Sequence, residues 1–113
     1  MWLMRRLDAQ TEKAVRTFLA RVPAELHVEK AIVFGSRARG DNRPDSDADL
    51  ALVFERGNEW QIVGLLAGLA FDVLMETGIL VQPVPVSTGD WTHPERFPRP
   101  GFLRNVAREG IAV

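Results

Sequence analysis

Two aspartates separated by one residue, Asp47 and Asp49, follow a Gly-Ser pair, Gly35-Ser36, after a gap of ten residues. On an extended strand residues i and i+2 project from the same face. Two carboxylates placed there repel unless a cation lies between them. Magnesium suits that position, because it takes oxygen ligands and completes its octahedron with water and substrate phosphates. A pair of such ions lets one activate a nucleophile while the other steadies a leaving pyrophosphate. Gly35-Ser36 supplies the complementary half of the device. It ends the apolar run Lys30-Ala31-Ile32-Val33-Phe34. Glycine lets the backbone approach a ligand closely, exposed N–H groups at the start of a turn attract anions, and the Ser36 hydroxyl adds a donor. Arg37 and Arg39 add positive charge, with Arg37 in position to reach a phosphate. Each half is common by itself. A D-x-D occurs on many solvated strand faces, and Asp41, Asp45, Asp47 and Asp49 could be an acidic loop edge balanced by Arg37, Arg39 and Arg43. What singles the segment out is the order: apolar strand, Gly-Ser, ten residues, D-x-D, apolar strand.

The elements that must hold these residues can be read from the spacing of apolar positions. Leu7, Thr11, Ala14/Val15, Phe18/Leu19 and Val22 recur at three or four residues, which predicts a helix over roughly 9–22, capped by Asp8 or Thr11 and ended by Pro23. Residues 30–34 predict one strand and 47–54 another, with Ala48, Leu50, Leu52 and Phe54 on one face. The polar stretch from Arg37 to Ser46 suits a short helical turn and a loop. Asn58 with Gln61 three residues on has the form of a capping box. The apolar face running through Trp60, Ile62/Val63, Leu65/Leu66, Leu69/Ala70 and Val73/Leu74 then predicts a long helix ending at Gly78. Ile79 to Val86 predicts a third strand. Pro83 and Pro85 put two missing N–H groups on one side of it, which should therefore be an open edge. The tail from Ser87 reads as a surface loop with a closing helix near 101–109. The order α-β-turn-β-α-β-α implies an α/β (α+β) fold, a small mixed sheet with helices packed against it, as one domain over residues 1–113.

Bulk properties narrow the function classes. With 113 residues and a net charge of −1, no global field draws the chain to nucleic acid or an anionic membrane. There is no cysteine, which excludes disulfides and thiolate metal sites. The apolar-then-basic start is the reverse of a secretory signal, and the run Ile62–Leu74 is interrupted by Gly64, Gly68 and Asp72. The expectation is a soluble, unprocessed, cytoplasmic protein with no membrane partner. His27 and His93 have no metal-ligand spacing, and no Ser/His/Asp triad can be assembled around them. Trp2, Trp60 and Trp91 read as packing anchors. Arg96, Arg99, Arg104 and Arg108, diluted by Glu95 and Glu109, read as a solvated face.

The pattern Gly-Ser-x10-Asp-x-Asp, in the fuller form GSRARG…SDADL, resembles the signature of the DNA polymerase β-like nucleotidyltransferase superfamily, and in particular its minimal prokaryotic members. The motif covers residues 31–54 with high specificity. The later helix and strand, and the terminal Arg-Glu-Gly-Ile-Ala-Val, follow the family outline more loosely. The resemblance implies a polymerase β-like fold in which Gly35 and Ser36, with Arg37, bind the triphosphate of ATP or another nucleotide. It implies that Asp47 and Asp49 hold Mg2+ and carry catalysis, so that AMP passes from ATP to an acceptor hydroxyl, on a protein or a tRNA end, with release of pyrophosphate. It further implies a partner protein of the HEPN type in a toxin–antitoxin pair, as a homo- or hetero-oligomer. The chain departs from the family at one place. A third carboxylate is expected from a later strand, but Ile79 to Val86 holds no acid. Gln82 is the best positional match and Asp90, just past the strand, the other candidate. Asp72 and Glu76 lie on the long helix, away from the strand face. The missing acid leaves an alternative open: a nucleotide-binding antitoxin or assembly subunit that acts by binding a protein, with weak or no turnover.

Overall fold

The structure, a computed structural model, describes residues 6–55 and 59–113. In chain order its elements are α1 (Ala9–Arg21), β1 (Lys30–Phe34), α2 (Ser36–Arg39), β2 (Ala48–Phe54), α3 (Glu59–Thr77), β3 (Val81–Ser87), α4 (Thr88–Thr92), α5 (Pro100–Glu109) and β4 (Ile111–Ala112), with single 3-10 turns at Ala24–Leu26 and Pro94–Arg96. The strands form one mixed sheet in the order β3-β2-β1-β4. β1 runs antiparallel to β2 and sets Phe34 opposite Asp49. β3 runs parallel to β2 and sets Gln82 opposite Asp49. β4 pairs antiparallel with β1.

β2 is the spine, and its sequence explains why. Every residue of it except Asp49 is buried. Ala48, Leu50, Leu52 and Phe54 enter the core shared with Ala14, Val15 and Phe18 of α1 and with Leu66, Ala70 and Val73 of α3. Ala51 and Val53 face the other way, toward Val106 and Leu103 of α5. A strand buried on both faces reads as a continuous apolar run, and that is how 50–54 reads. Asp49 interrupts the run near its start, on the α5 face, where the sheet opens to solvent.

The helix ends follow local chemistry. Asp8 caps α1 by accepting the backbone N–H of Thr11 at 2.7 Å and its hydroxyl at 2.9 Å. α3 ends at Gly78, whose φ of 79° lets its N–H reach the carbonyl of Leu74 at 2.8 Å. β3 is an edge strand, as its two prolines require. Three expectations are revised. Asp47 lies just before β2 and not within it. The tail after Ser87 is not loop alone, because the Ser87 side chain accepts the N–H of Asp90 at 3.1 Å and starts α4. The last residues add the two-residue strand β4. The proposed Asn58 cap, the packing of Trp2 and the side chain of Trp60 lie outside the described residues. Among the described residues no helix is long and apolar enough to cross a membrane.

Two glycines give opposite expectations. A Cβ at Gly110 would stand 2.3 Å from Ile32 Cγ2 and 2.5 Å from the Val106 carbonyl, whereas one at Gly64 in α3 would meet nothing within 4 Å. Gly110→Ala should cost roughly 1–3 kcal/mol, the usual penalty of overpacking. Gly64→Ala should add about 0.5–1 kcal/mol through helix propensity. Urea denaturation of the two variants checks both signs.

Candidate functional site

At the end of the sheet where β1 stops and β2 and β3 begin, the backbone turns sharply at Gly35, with φ 75° and ψ −155°. That conformation is strained for any side chain, and space forbids one as well. A Cβ at Gly35 would lie 2.5 Å from Asp49 Oδ2. The contact follows from the register that sets Phe34 opposite Asp49. The one-turn helix α2 then winds back. Ala38 and Arg39 donate their N–H groups to the Gly35 carbonyl at 3.1 and 3.0 Å, and Gly40, at φ 84°, donates to the Ser36 carbonyl at 2.8 Å. The half-buried Ser36 hydroxyl has no hydrogen-bond partner among the described residues.

Asp49 is half-buried and Asp47 is exposed. Burial pushes the Asp49 carboxyl above its ordinary value of 3.8, the charge of Asp47 pushes it further, and Arg39 opposes both. Gln82, opposite Asp49 on β3, donates from Nε2 to Asp47 Oδ2 at 3.2 Å. Gly35, Asp47, Asp49 and Gln82 are thus neighbours on one side of the sheet.

Two of the residues singled out in the sequence are placed elsewhere. Arg37 is buried at 3% exposure. Its Nε donates to the Ser46 carbonyl at 2.9 Å, Nη2 to the Pro44 carbonyl at 3.0 Å, and Nη1 to Thr11 Oγ1 at 2.7 Å. The guanidinium therefore faces the loop and α1, which corrects the expectation of a phosphate contact. The arginine whose field reaches Asp49 is Arg39, exposed and also paired with Asp41 and Glu109. Asp90 sits in α4, past the far end of β3. The five steps along the strand from Gln82 to Ser87 span roughly 16 Å, so Asp90 cannot complete a site at Asp49. Asp72 is exposed on α3, and Glu76 pairs with Arg21.

Among the described residues no group of three or more His, Cys, Asp and Glu side chains could hold a metal. The oxygen donors assembled here are two carboxylates and one amide. That set still fits a hard divalent cation. Asp47 is close enough to disfavour the charge of Asp49, and a cation between the two removes that penalty.

With this geometry in place, comparison with known proteins defines the class. Residues 12–107 match the family model described as nucleotidyltransferase domain, and the chain belongs to that family. A Methanocaldococcus jannaschii protein, provisionally named as a protein adenylyltransferase, is 28% identical over 101 residues, which are 88% of this chain and 93% of that protein. A crystal structure of a provisionally named nucleotidyltransferase from Sulfolobus solfataricus superimposes with a TM-score of 0.46 at 19% identity, covering 97% of this chain and 90% of that one.

The raised pKa of Asp49 has a measurable consequence for the free protein. The unfolded chain releases this proton near 3.8 and the folded chain at a higher pH. Stability is therefore lost as pH rises through that window, and the deficit is complete above it. Asp49→Asn should raise the thermal midpoint in metal-free buffer at neutral pH, with the gap closing as pH falls below the ordinary value. Scanning fluorimetry across pH decides the point; a lower midpoint for the variant at neutral pH contradicts it.

Proposed function

We propose that the protein transfers a nucleoside monophosphate, AMP from ATP, to a hydroxyl group of a protein or RNA acceptor. The observation that carries this reading is the approach of Asp49 to Gly35, which puts the acid pair beside the backbone turn of the family motif. In this reading Gly35 and Ser36 hold the triphosphate, Asp47 and Asp49 hold Mg2+, and Gln82 adds an amide oxygen. Arg39 takes the supporting role first assigned to Arg37. The cation would supply charge neutralisation on the phosphate oxygens. The acceptor oxygen forms a bond to the α-phosphorus as the bond to the β-phosphate bridging oxygen breaks. Pyrophosphate leaves and the hydroxyl proton passes to solvent. The name of the M. jannaschii relative favours a protein acceptor. Gln82 cannot take a proton, and general-base help contributes roughly 10²–10⁴ in rate, so slow turnover with intact ATP binding is expected.

A second reading, a nucleotide-binding antitoxin or assembly subunit that pairs with a HEPN-type protein, is favoured by one observation. α3 buries Ile62, Leu66, Ala70 and Val73, yet Phe71 and Met75 on its outer side are 59% and 70% exposed, with Val63 and Leu65 also in solvent. Exposed apolar groups of this size clustered on one helix suit a protein partner.

Isothermal titration of ATP, with and without Mg2+, tests the nucleotide site that both readings share. Wild type should bind only weakly without the metal. Asp47→Asn should weaken the Mg2+-dependent affinity at least roughly tenfold, about 1.4 kcal/mol. Absence of ATP binding under both conditions would refute nucleotide transfer and leave partner binding as the role. Turnover is probed from the opposite direction by Gln82→Asp. Restoring a carboxylate opposite Asp49 should raise transfer of label from ATP carrying a radioactive α-phosphate, by roughly 10²-fold. An unchanged or lower rate with ATP affinity intact counts against Gln82 as the limiting departure.

A further inference from the structure

Arg37 is the buried charge that the proposed chemistry does not use. The loop between α2 and β2, residues 40–47, contains no buried residue. It has no apolar side chain in the core to fix it. Asp41 ties its start to α2, through its N–H to the Ser36 carbonyl and its carboxylate to Arg39. The part that leads into Asp47 is held by Arg37, whose guanidinium takes the carbonyls of Pro44 and Ser46 on two of its nitrogens. Ser46 is the residue immediately before Asp47, and its hydroxyl also accepts the N–H of Arg43 at 2.9 Å. The third nitrogen of Arg37 donates to Thr11 Oγ1 at 2.7 Å. Thr11 is itself buried and held through its N–H and hydroxyl by Asp8, whose carboxylate stands 3.9 Å from Arg37. The Asp8 carboxyl is held below its ordinary value, first by the Thr11 N–H and then also by the Thr11 hydroxyl and the Arg37 charge. A continuous chain of hydrogen bonds therefore runs from the first turn of α1, through one planar guanidinium, to the backbone entering Asp47.

We propose that Arg37 is a positioning residue for Asp47: by fastening the Pro44 and Ser46 carbonyls to α1, it sets the spacing of the Asp47 and Asp49 carboxylates. The inference rests on the reading of those two acids as the cation pair. Asp49 is fixed by the sheet, between β1 and β3. Asp47 lies outside the sheet, and beyond its hydrogen bond from Gln82 its place depends on the loop. Only arginine carries enough donors in a rigid plane to hold two carbonyls and a hydroxyl together. The ammonium of lysine is a point donor on a flexible stem.

The test uses Mn2+ alone as the probe, bound to the free full-length protein and read by electron paramagnetic resonance, so that turnover is not required. Arg37→Lys should weaken Mn2+ binding at least roughly tenfold. Adding Asp47→Asn to Arg37→Lys should weaken it much less than Asp47→Asn does in wild type, because interacting residues are not additive. Gly110→Ala, destabilised at the opposite side of β1 from the loop, should keep wild-type Mn2+ affinity and so shows what loss of stability alone does. Thr11→Val, which removes one acceptor and keeps the guanidinium, should weaken Mn2+ binding about threefold and serves if Arg37→Lys does not fold. A folded Arg37→Lys with wild-type Mn2+ affinity, or Thr11→Val without effect where the lysine variant is unfolded, overturns the positioning role. Failure of wild type itself to bind Mn2+ overturns instead the reading of Asp47 and Asp49 as the cation pair.

Discussion

The close approach of Gly35 to Asp49 is the constraint on which the site depends. An antiparallel register alone would bring Phe34 and Asp49 together. It becomes a site only because the next residue has no side chain, so that the Asp49 carboxylate occupies the space where a Cβ would be. The same glycine takes the positive φ that turns the chain out of β1 and into α2. One residue thus meets two requirements, room for the acid and reversal of the backbone, and any other residue would violate both. This is why a Gly-Ser pair and a D-x-D pair ten residues apart carry more information together than separately. The loop between them is polar and irregular, but its length is what returns the chain along β1 in the register that faces acid to glycine.

The surrounding fold is arranged to make this contact stiff. β2 is buried on both faces below Asp49, between the α1/α3 layer and α5. A strand enclosed in that way cannot shift by one residue without sending its whole core set to the wrong side. The acid at its mouth inherits the precision. The arrangement is not favourable for the free protein. A half-buried carboxylate beside a second acid is held in its charged form against both desolvation and repulsion. Stability lost at a site of this kind is characteristic of groups arranged for a ligand and not for the fold.

Much of this was legible in the sequence, and the misreadings have physical causes. The bounds of β1, the reach of α1 and the edge position of β3 followed from apolar spacing and from two prolines, which are local signals. β4 is two residues long, too short to show any period, and exists because β1 has an open side. The choice between the arginines failed for a geometric reason. Arg37 is next to Gly-Ser in sequence and was given the phosphate. On a helical turn, however, residues two apart point about 200° from each other, so one of Arg37 and Arg39 had to face away from the acids. Which one did so was decided by Thr11 and by the Pro44 and Ser46 carbonyls, all distant in sequence or irregular in structure. Asp90 was attractive because it follows β3 closely in sequence, but closeness to the end of a parallel strand is distance from its start.

The departure at Gln82 can be argued from charge. On the reading proposed above, two carboxylates balance one dipositive cation, whereas a third carboxylate would leave an excess negative charge that the phosphates of a nucleotide would worsen. An amide at that position lowers the repulsion the free protein must bear. Its NH2 group already donates to Asp47. The amide also carries an acceptor oxygen in the same plane, so a half-turn about its terminal torsion exchanges donor for acceptor. The terminal torsion of glutamine is broad and roughly two-fold, which makes that exchange inexpensive. What an amide does not carry is basicity. On that same proposed reading, Gln82 opposite Asp49 leaves in place the groups assigned to a nucleotide and its metal and gives up the group that would take the acceptor's proton. On this account binding and turnover are separable properties of one site.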